Sequence, residues 1–442
     1  MNLQVTTGTL DSLPLAPTPT TSGGQTELII TGAPANATVP AGYSYVVDLA
    51  GASNTVSAAN TVLITGQAGG TFNITGQSTV AVEGGNNLVN ANGTYLISTA
   101  PGNNTIAASG VGTIATHIGA NVIFATGINS ISTIGQDTVV AGLGLTTVES
   151  AGSKSLVLGN PAAGDLLTVS LSGSQSTVST FDSDATVTVA GSQDLVFGAQ
   201  ALSNLIVTGS SDTVVGGSGA ETINALSNTV LFGGTGPINF VGGAGASTIV
   251  GGSGGTEQVA AGPGGVLLSA GTGNSSTITG GNGFSTIFGG ANSVVDFVGS
   301  QNGAVFVGAG GNETVNAAGS STANLFSGGV GGNVSMVGGS GNDDFLVGSG
   351  SDTMAGGAGS NAFAFFSAAT GGAHDYITDF SPSDSLFLLG YASAQSASSL
   401  LSSATVDSSG VTLTLSDSTK ITFTSLNSTS ALNGDILYVP KT

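Results

Sequence analysis

From about Asn54 onward a single pattern recurs along most of the chain. A turn-forming Asn, Asp, Gly, Ser or Glu precedes a short run centred on Val, Ile, Leu or Phe. It reads NTVLI from Asn60, STVAV from Ser78, NNTIA from Asn103, NVIF from Asn121 and DTVV from Asp137. It continues as DATVTV from Asp184, DLVF from Asp194, NLIV from Asn204, DTVV from Asp212 and ETIN from Glu221. STIV from Ser247, STIF from Ser285, ETVN from Glu313 and DDFL from Asp343 carry it toward the C-terminus. Steps vary between 8 and 11 residues, and Asp194 and Asp212 stand 18 apart. A three-residue run cannot bury a face alone, so it must stack on a neighbouring rung about 4.8 Å away to complete its backbone ladder. Glycine at the corners permits the positive φ angles of repeated tight turns. Each rung then turns one or two apolar side chains inward, worth roughly 1.5–3 kcal/mol each when fully buried. About thirty such half-turns fit between residues 54 and 365, which predicts one long solenoid stabilised by nearest-neighbour contacts. A Gly/Ser linker would not repeat its apolar residues in phase.

Composition narrows the partners. The 442 residues include 74 Gly, no Cys, no Trp and only 6% charged residues, with a net charge of −21. The sole basic residues are Lys154, Lys420 and Lys441, and there is no Arg. Three lysines cannot displace counterions from a phosphate backbone, so nucleic acid is excluded. An anionic membrane surface repels the chain, no stretch reaches the length of a membrane span, and membrane insertion is not expected. Cations are the natural small partners of so acidic a body. The 40% hydrophobic content argues against disorder. Absence of Cys removes disulfides and thiol chemistry and suits a chain exported unfolded.

Residues 338–365, GGSGNDDFLVGSGSDTMAGGAGSNAFAF, carry the sharpest motif. In nines they read GGSGNDDFL, VGSGSDTMA and GGAGSNAFA, and the first matches G-G-x-G-x-D-x-U-x, with U a large apolar residue. The second loses its leading Gly, and the third places Asn361 where Asp343 and Asp352 stand. The block resembles the repeat-in-toxin (RTX) family of calcium-binding β-rolls. That resemblance implies an all-β fold, a right-handed parallel β-roll or β-helix solenoid with a small C-terminal β-rich cap. It also implies Ca²⁺ held between loops on successive coils by glycine carbonyls and the Asp carboxylate, within the six to eight oxygens the ion prefers. Position by position the implied ligands are Gly339, Gly341 and Asp343, then Gly350 and Asp352, then Gly357, Gly359 and Asn361. A second, partial set is Asp194, Asp212, Gly217, Gly219 and Glu221. Elsewhere the pattern departs from the family: GGAGASTIV from Gly242 and GGNGFSTIF from Gly280 put Ser247 and Ser285 at the Asp position. A hydroxyl or amide there cannot neutralise a dication but can hydrogen-bond along the stack, so most rungs are expected to be metal-free ladders.

Three regions follow: an extended arm over residues 1–45, rich in Pro and Thr, the solenoid over 46–365, and a cap over 366–442. The cap is expected to hold two strand-like runs joined by a Ser-Pro-Ser-Asp turn, a short helix within residues 392–402, and a hairpin turning at residues 416–419. HDYITDF and the terminal NGDILYVP resemble the block after the repeats of type I secreted RTX proteins, which carries their uncleaved export signal. The first twenty residues show neither a basic region nor an apolar run of signal-peptide length, in keeping with that route.

Catalytic chemistry has little to work with. His117 and His374 lie far apart, no HExxH appears, and no GxSxG stands in a strand-to-helix context. Lyases and epimerases on β-helices need Arg, Lys or Tyr beside a uronate, and no lysine falls between residues 184 and 365. An outward ladder of Thr138, Thr213, Thr222, Thr248, Thr286 and Thr314 would suit ice binding, though such threonines are also ordinary strand chemistry. The expected function is therefore non-enzymatic: an extracellular or cell-surface structural protein of a surface layer, matrix or adhesin. It would fold with external Ca²⁺ at roughly 10⁻⁴–10⁻³ M, and associate with itself or with cell-surface polysaccharide. The alternatives are a secreted polysaccharide-active enzyme and a calcium-independent adhesin fibre.

Overall fold

The computed structural model describes residues 2–6, 24–32, 36–49, 54–66, 69–162, 164–367, 371–391 and 396–439. The protein is all-β, 52% strand and 2% helix, and forms a parallel β-solenoid of about 18 turns. It divides into two compact units, Met1–Asp212 and Thr213–Thr442.

In the first unit, Thr71–Val82, Leu88–Thr99, Thr105–Ala115, Val122–Thr133 and Thr138–Ser150 pair in parallel, each with the next. These strands run 11 to 13 residues, far longer than the three-residue rungs expected. The reason is a glycine column. Gly93, Gly110, Gly127 and Gly144 stand in register with φ between +100° and +129°. That backbone turns the corner without leaving the ladder, and a side chain would forbid it. A Cβ on Gly110, Gly127 or Gly144 would strike the carbonyl oxygen of the glycine one coil earlier. Beyond Ser150 the strands shorten to the expected size, as in Thr177–Ser179 against Leu195–Phe197. The core is built of in-register columns of buried side chains: Val89, Ile106, Ile123, Val139, Val157 and Val178 form one, and Ile97, Ile114, Ile131, Val148 and Val169 another.

Parallel pairing also reaches into the segment expected to be an arm. Asn2–Thr6 pairs with Thr26–Ile30, which pairs with Tyr45–Asp48. Pro14, Pro17, Pro19 and Pro34 lie outside the described residues.

The second unit has two strands per coil. One face stacks Glu221–Ala225, Ile238–Gly242 and Thr256–Ala260 and continues in register to Val334–Val337 and Thr353–Ala355. The other runs from Thr229–Phe232 through Ser247–Val250 to Asp344–Leu346 and Ala362–Phe366. Toward its C-terminal end the core turns aromatic: Phe345 lies between Phe326 and Phe363, with ring centroids 5.2 and 4.9 Å away.

The residues expected to cap the solenoid extend both of these faces. His374–Ile377 pairs in parallel with Thr353–Ala355 and with Lys420–Phe423, while Ser385–Leu389 pairs with Ala362–Phe366 and Ile436–Val439. The helix is Ala397–Ser402 and the hairpin joins Gly410–Thr414 to Lys420–Phe423. No helix among the described residues is long and apolar enough to cross a membrane.

Candidate functional site

Many of the turn residues before the short strands are buried, and in both units such residues form hydrogen-bonded columns. In the first unit the column reads Gly70, Asn87, Asn104, Asn121 and Asp137. The backbone N–H of each donates to the side-chain oxygen of the next, at 2.9, 3.1, 2.9 and 2.8 Å. The asparagine amides reinforce the stack, Asn121 Nδ2 donating to Asp137 Oδ1 at 2.7 Å. After a serine interlude the column resumes: Ser176 N donates to Asp194 Oδ1 at 2.6 Å and Asp194 N to Asp212 Oδ1 at 2.9 Å.

Both faces of the second unit repeat the device. On one, Asn324 N donates to Asp343 Oδ1 at 2.7 Å, Asp343 N to Asn361 Oδ1 at 3.0 Å, and Asn361 N to Asp384 Oδ1 at 2.8 Å. On the other, Val334 N donates to Asp352 Oδ1 and Asp352 N to Asp375 Oδ1, both at 2.9 Å. The second carboxylate oxygen reaches back to its own glycine turn, accepting from Gly339 N at 2.7 Å in Asp343 and from Gly348 N at 3.2 Å in Asp352. Glu221 does the same with Gly217 N, and Glu313 with Ala309 N at 3.2 Å. Geometry explains the motif: a short acid four residues after a glycine corner fastens that corner and receives the N–H of the preceding coil.

Burial makes these groups costly to ionise. Asp194, Asp212, Asp343, Asp352 and Asp375 are at most 1% exposed. Burial pushes the Asp194 carboxyl up to about 6, against the Ser176 N–H bond that favours its charge, with the Asp212 charge a smaller upward push. Asp375 is pushed up to about 7 in the same way, by burial first, with the Asp352 charge adding to it. Asp212, Glu221, Glu313, Asp343 and Asp352 are likewise raised by burial. Oδ2 of Asp194, Oε2 of Glu313 and Oδ2 of Asp375 have no donor among the described residues.

The residues implied as calcium ligands can be followed one by one. Both oxygens of Asp343 and of Asp352 already accept N–H bonds. The Gly339 carbonyl accepts from Ala358 N at 2.9 Å, and that of Gly217 from Thr235 N at 3.0 Å. The Gly359 carbonyl accepts from Ser383 Oγ at 2.8 Å, while Gly341 lies stacked beneath it. Gly350 sits against Gly332 in the same fashion, and Gly219 against Gly236. The Gly357 N–H donates to Asp379 Oδ2 at 2.8 Å. Asn361 holds Asp343, Asp212 holds Asp194, and Glu221 holds Gly217. No group of three or more His, Cys, Asp or Glu is gathered for a metal among the described residues. A calcium ion needs six to eight free oxygens; both carboxylate oxygens of Asp343 and of Asp352 and the carbonyls of Gly339, Gly217 and Gly359 are already taken by N–H or O–H donors, while Oδ2 of Asp194 and of Asp212 has none among the described residues.

Asn324, Asp375, Asp379 and Asp384 belong to these columns and were missing from the ligand set read from the motif. Asn324 and Asp384 precede apolar runs in the same way as the others, so the turn-before-strand pattern contains them. Asp375, in the strand His374–Ile377, and Asp379, in the bend just after it, join because that strand pairs beside Thr353–Ala355. His374 lies on the outer side, its Nε2 2.9 Å from Thr422 Oγ1 and its ring stacked on Tyr376. The threonines considered as a ladder do not stack on one another. Thr138 lies between Val122 and Leu156, Thr286 between Leu267 and Val305, and Thr314 between Asp296 and Ser335.

Compared with models of protein families, with characterised proteins and with solved structures, the chain matches none.

Proposed function

We propose that the chain is an extracellular structural protein, a degenerate relative of the RTX β-rolls exported by a type I route, which coats a surface or builds a matrix through contacts between its own copies. The observation that carries this reading is an almost uncharged outer face on the first unit. Val111, Ile128, Leu145 and Leu166 stack in register there, each between 39% and 53% exposed. Beside them runs a hydroxyl column, Thr113, Ser130, Thr147, Thr168 and Thr186. On a chain carrying a net charge of −21, copies repel where acids are exposed, and this face carries almost none. Strand spacing and rise make this face about 13 by 24 Å, roughly 300 Å². A stable interface needs about 800 Å² per partner, so one such contact is weak and many together favour an array over a discrete dimer.

Electron microscopy and sedimentation of the purified chain test this. Wild type should assemble in a concentration-dependent way. Ile128→Asp with Leu145→Asp should stay monomeric with unchanged circular dichroism. A wild-type chain that remains monomeric at high concentration, or that degrades anionic polysaccharides, would overturn the proposal.

A further inference from the structure

We infer that the glycine corners of residues 338–361 receive anions rather than cations, and that carboxylates of the C-terminal segment lock them, so that this block holds its order without Ca²⁺.

The backbone N–H groups show the polarity of these corners. Gly356 N and Gly357 N both point at Asp379, donating to its Oδ1 at 2.7 Å and its Oδ2 at 2.8 Å. Two adjacent glycine N–H groups converging on one carboxylate form an anion-binding nest, and Gly357 is one of the glycines that the resemblance assigned to a cation. One rung along, Asp384 closes the column of Asn324, Asp343 and Asn361, and its Oδ2 is held by Ser381 N at 2.8 Å and Ser381 Oγ at 2.9 Å. Asp375 closes the parallel column by receiving Asp352 N. Asp375, Asp379 and Asp384 thus each accept an N–H from the repeat block, 23, 23 and 23 residues downstream of their donors Asp352, Gly356 and Asn361. A metal ion bridging coils would have to displace these donors. It would also leave several buried N–H groups unsatisfied, each at its full desolvation penalty. Lys154 and Lys420, the cations among the described residues, are both exposed and take no part.

Carboxylates of the C-terminal segment therefore do here what inter-coil calcium does in the repeats this block resembles. The block can complete its hydrogen bonding only once residues 375–384 have arrived, which makes the C-terminal segment the last and necessary piece of the fold.

Amide hydrogen exchange on the full-length protein, in chelator and in millimolar calcium, tests this. In chelator the amides of Gly339, Gly356, Gly357 and Asn361 should be protected, and calcium should not slow them further. Asp379→Ala should speed exchange at Gly356 and Gly357 about tenfold or more, and Asp384→Ala should do so at Asn361, as expected for a lost hydrogen bond. Free exchange in chelator that calcium suppresses would overturn the inference, as would Ala variants that exchange like wild type. Should a variant fail to fold, the wild-type chelator and calcium comparison decides alone.

Discussion

Replacing Asp343 by alanine removes an acceptor that three N–H groups share: Asn324 N, Asn324 Nδ2 and Gly339 N, each 2.7 Å from a carboxylate oxygen. Asn324 Nδ2 keeps a second acceptor, the Thr322 carbonyl at 3.2 Å, so two backbone donors are left bare. Asp343 is 0% exposed, so bulk water does not reach them. A buried donor without a partner costs about 1–3 kcal/mol, which sets the loss at about 2–6 kcal/mol. Asp343→Asn keeps Oδ1 for Asn324 and turns an amide against Gly339 N, so it should lose about 1–3 kcal/mol. For a unit of this size each kcal/mol moves the melting midpoint by roughly 2–4 °C. Alanine should therefore lower the midpoint of the second unit by roughly 5–20 °C and asparagine by less. The assay is thermal and urea unfolding followed by circular dichroism at neutral pH in chelator, with amide exchange at Asn324 and Gly339 to localise the effect, because solenoids unfold in parts. An alanine variant within about 0.5 kcal/mol of wild type in chelator would refute the reasoning. A loss that appears only when calcium is present would refute it as well.

Two further outcomes follow from the buried acids and the glycine column. With Asp194 pushed up to about 6 and Asp375 to about 7 from an ordinary 3.8, the folded chain binds more protons than the unfolded one between those values. Stability is then fully present below about pH 4 and lost as pH rises through about 6 to 7. Melting in chelator should fall across that window, and Asp375→Asn should flatten the fall in the second unit; a midpoint that rises with pH would refute this. Gly127→Ala should cost the first unit more than Gly164→Ala, as read by urea midpoints. Both glycines have positive φ, +100° and +97°, but only at Gly127 does a Cβ strike a neighbouring carbonyl. Strain alone is worth about 1–3 kcal/mol, so equal costs would mean the collision is relieved by a backbone shift.

The alternation of turn residue and short apolar run was enough to establish a parallel solenoid, because a strand that cannot bury itself has to stack. Local pattern could not decide the polarity of the glycine corners. GGSGND is compatible with carbonyls turned inward onto a cation and with N–H groups turned onto a carboxylate. Which occurs depends on what the next coil presents 18 to 23 residues later: here Asn361, Asp375, Asp379 and Asp384 all present acceptors. Strand length escaped for a similar reason. Gly93, Gly110, Gly127 and Gly144 look like turn breakers in sequence, but stacked in register they let the ladder bend and continue, with a one-residue shift beside Gly144. Inward and outward alternation, and with it the solenoid, is a property of neighbouring residues and was legible in the chain itself. Hydrogen-bond direction between coils is a property of register, and only the tertiary structure decided it.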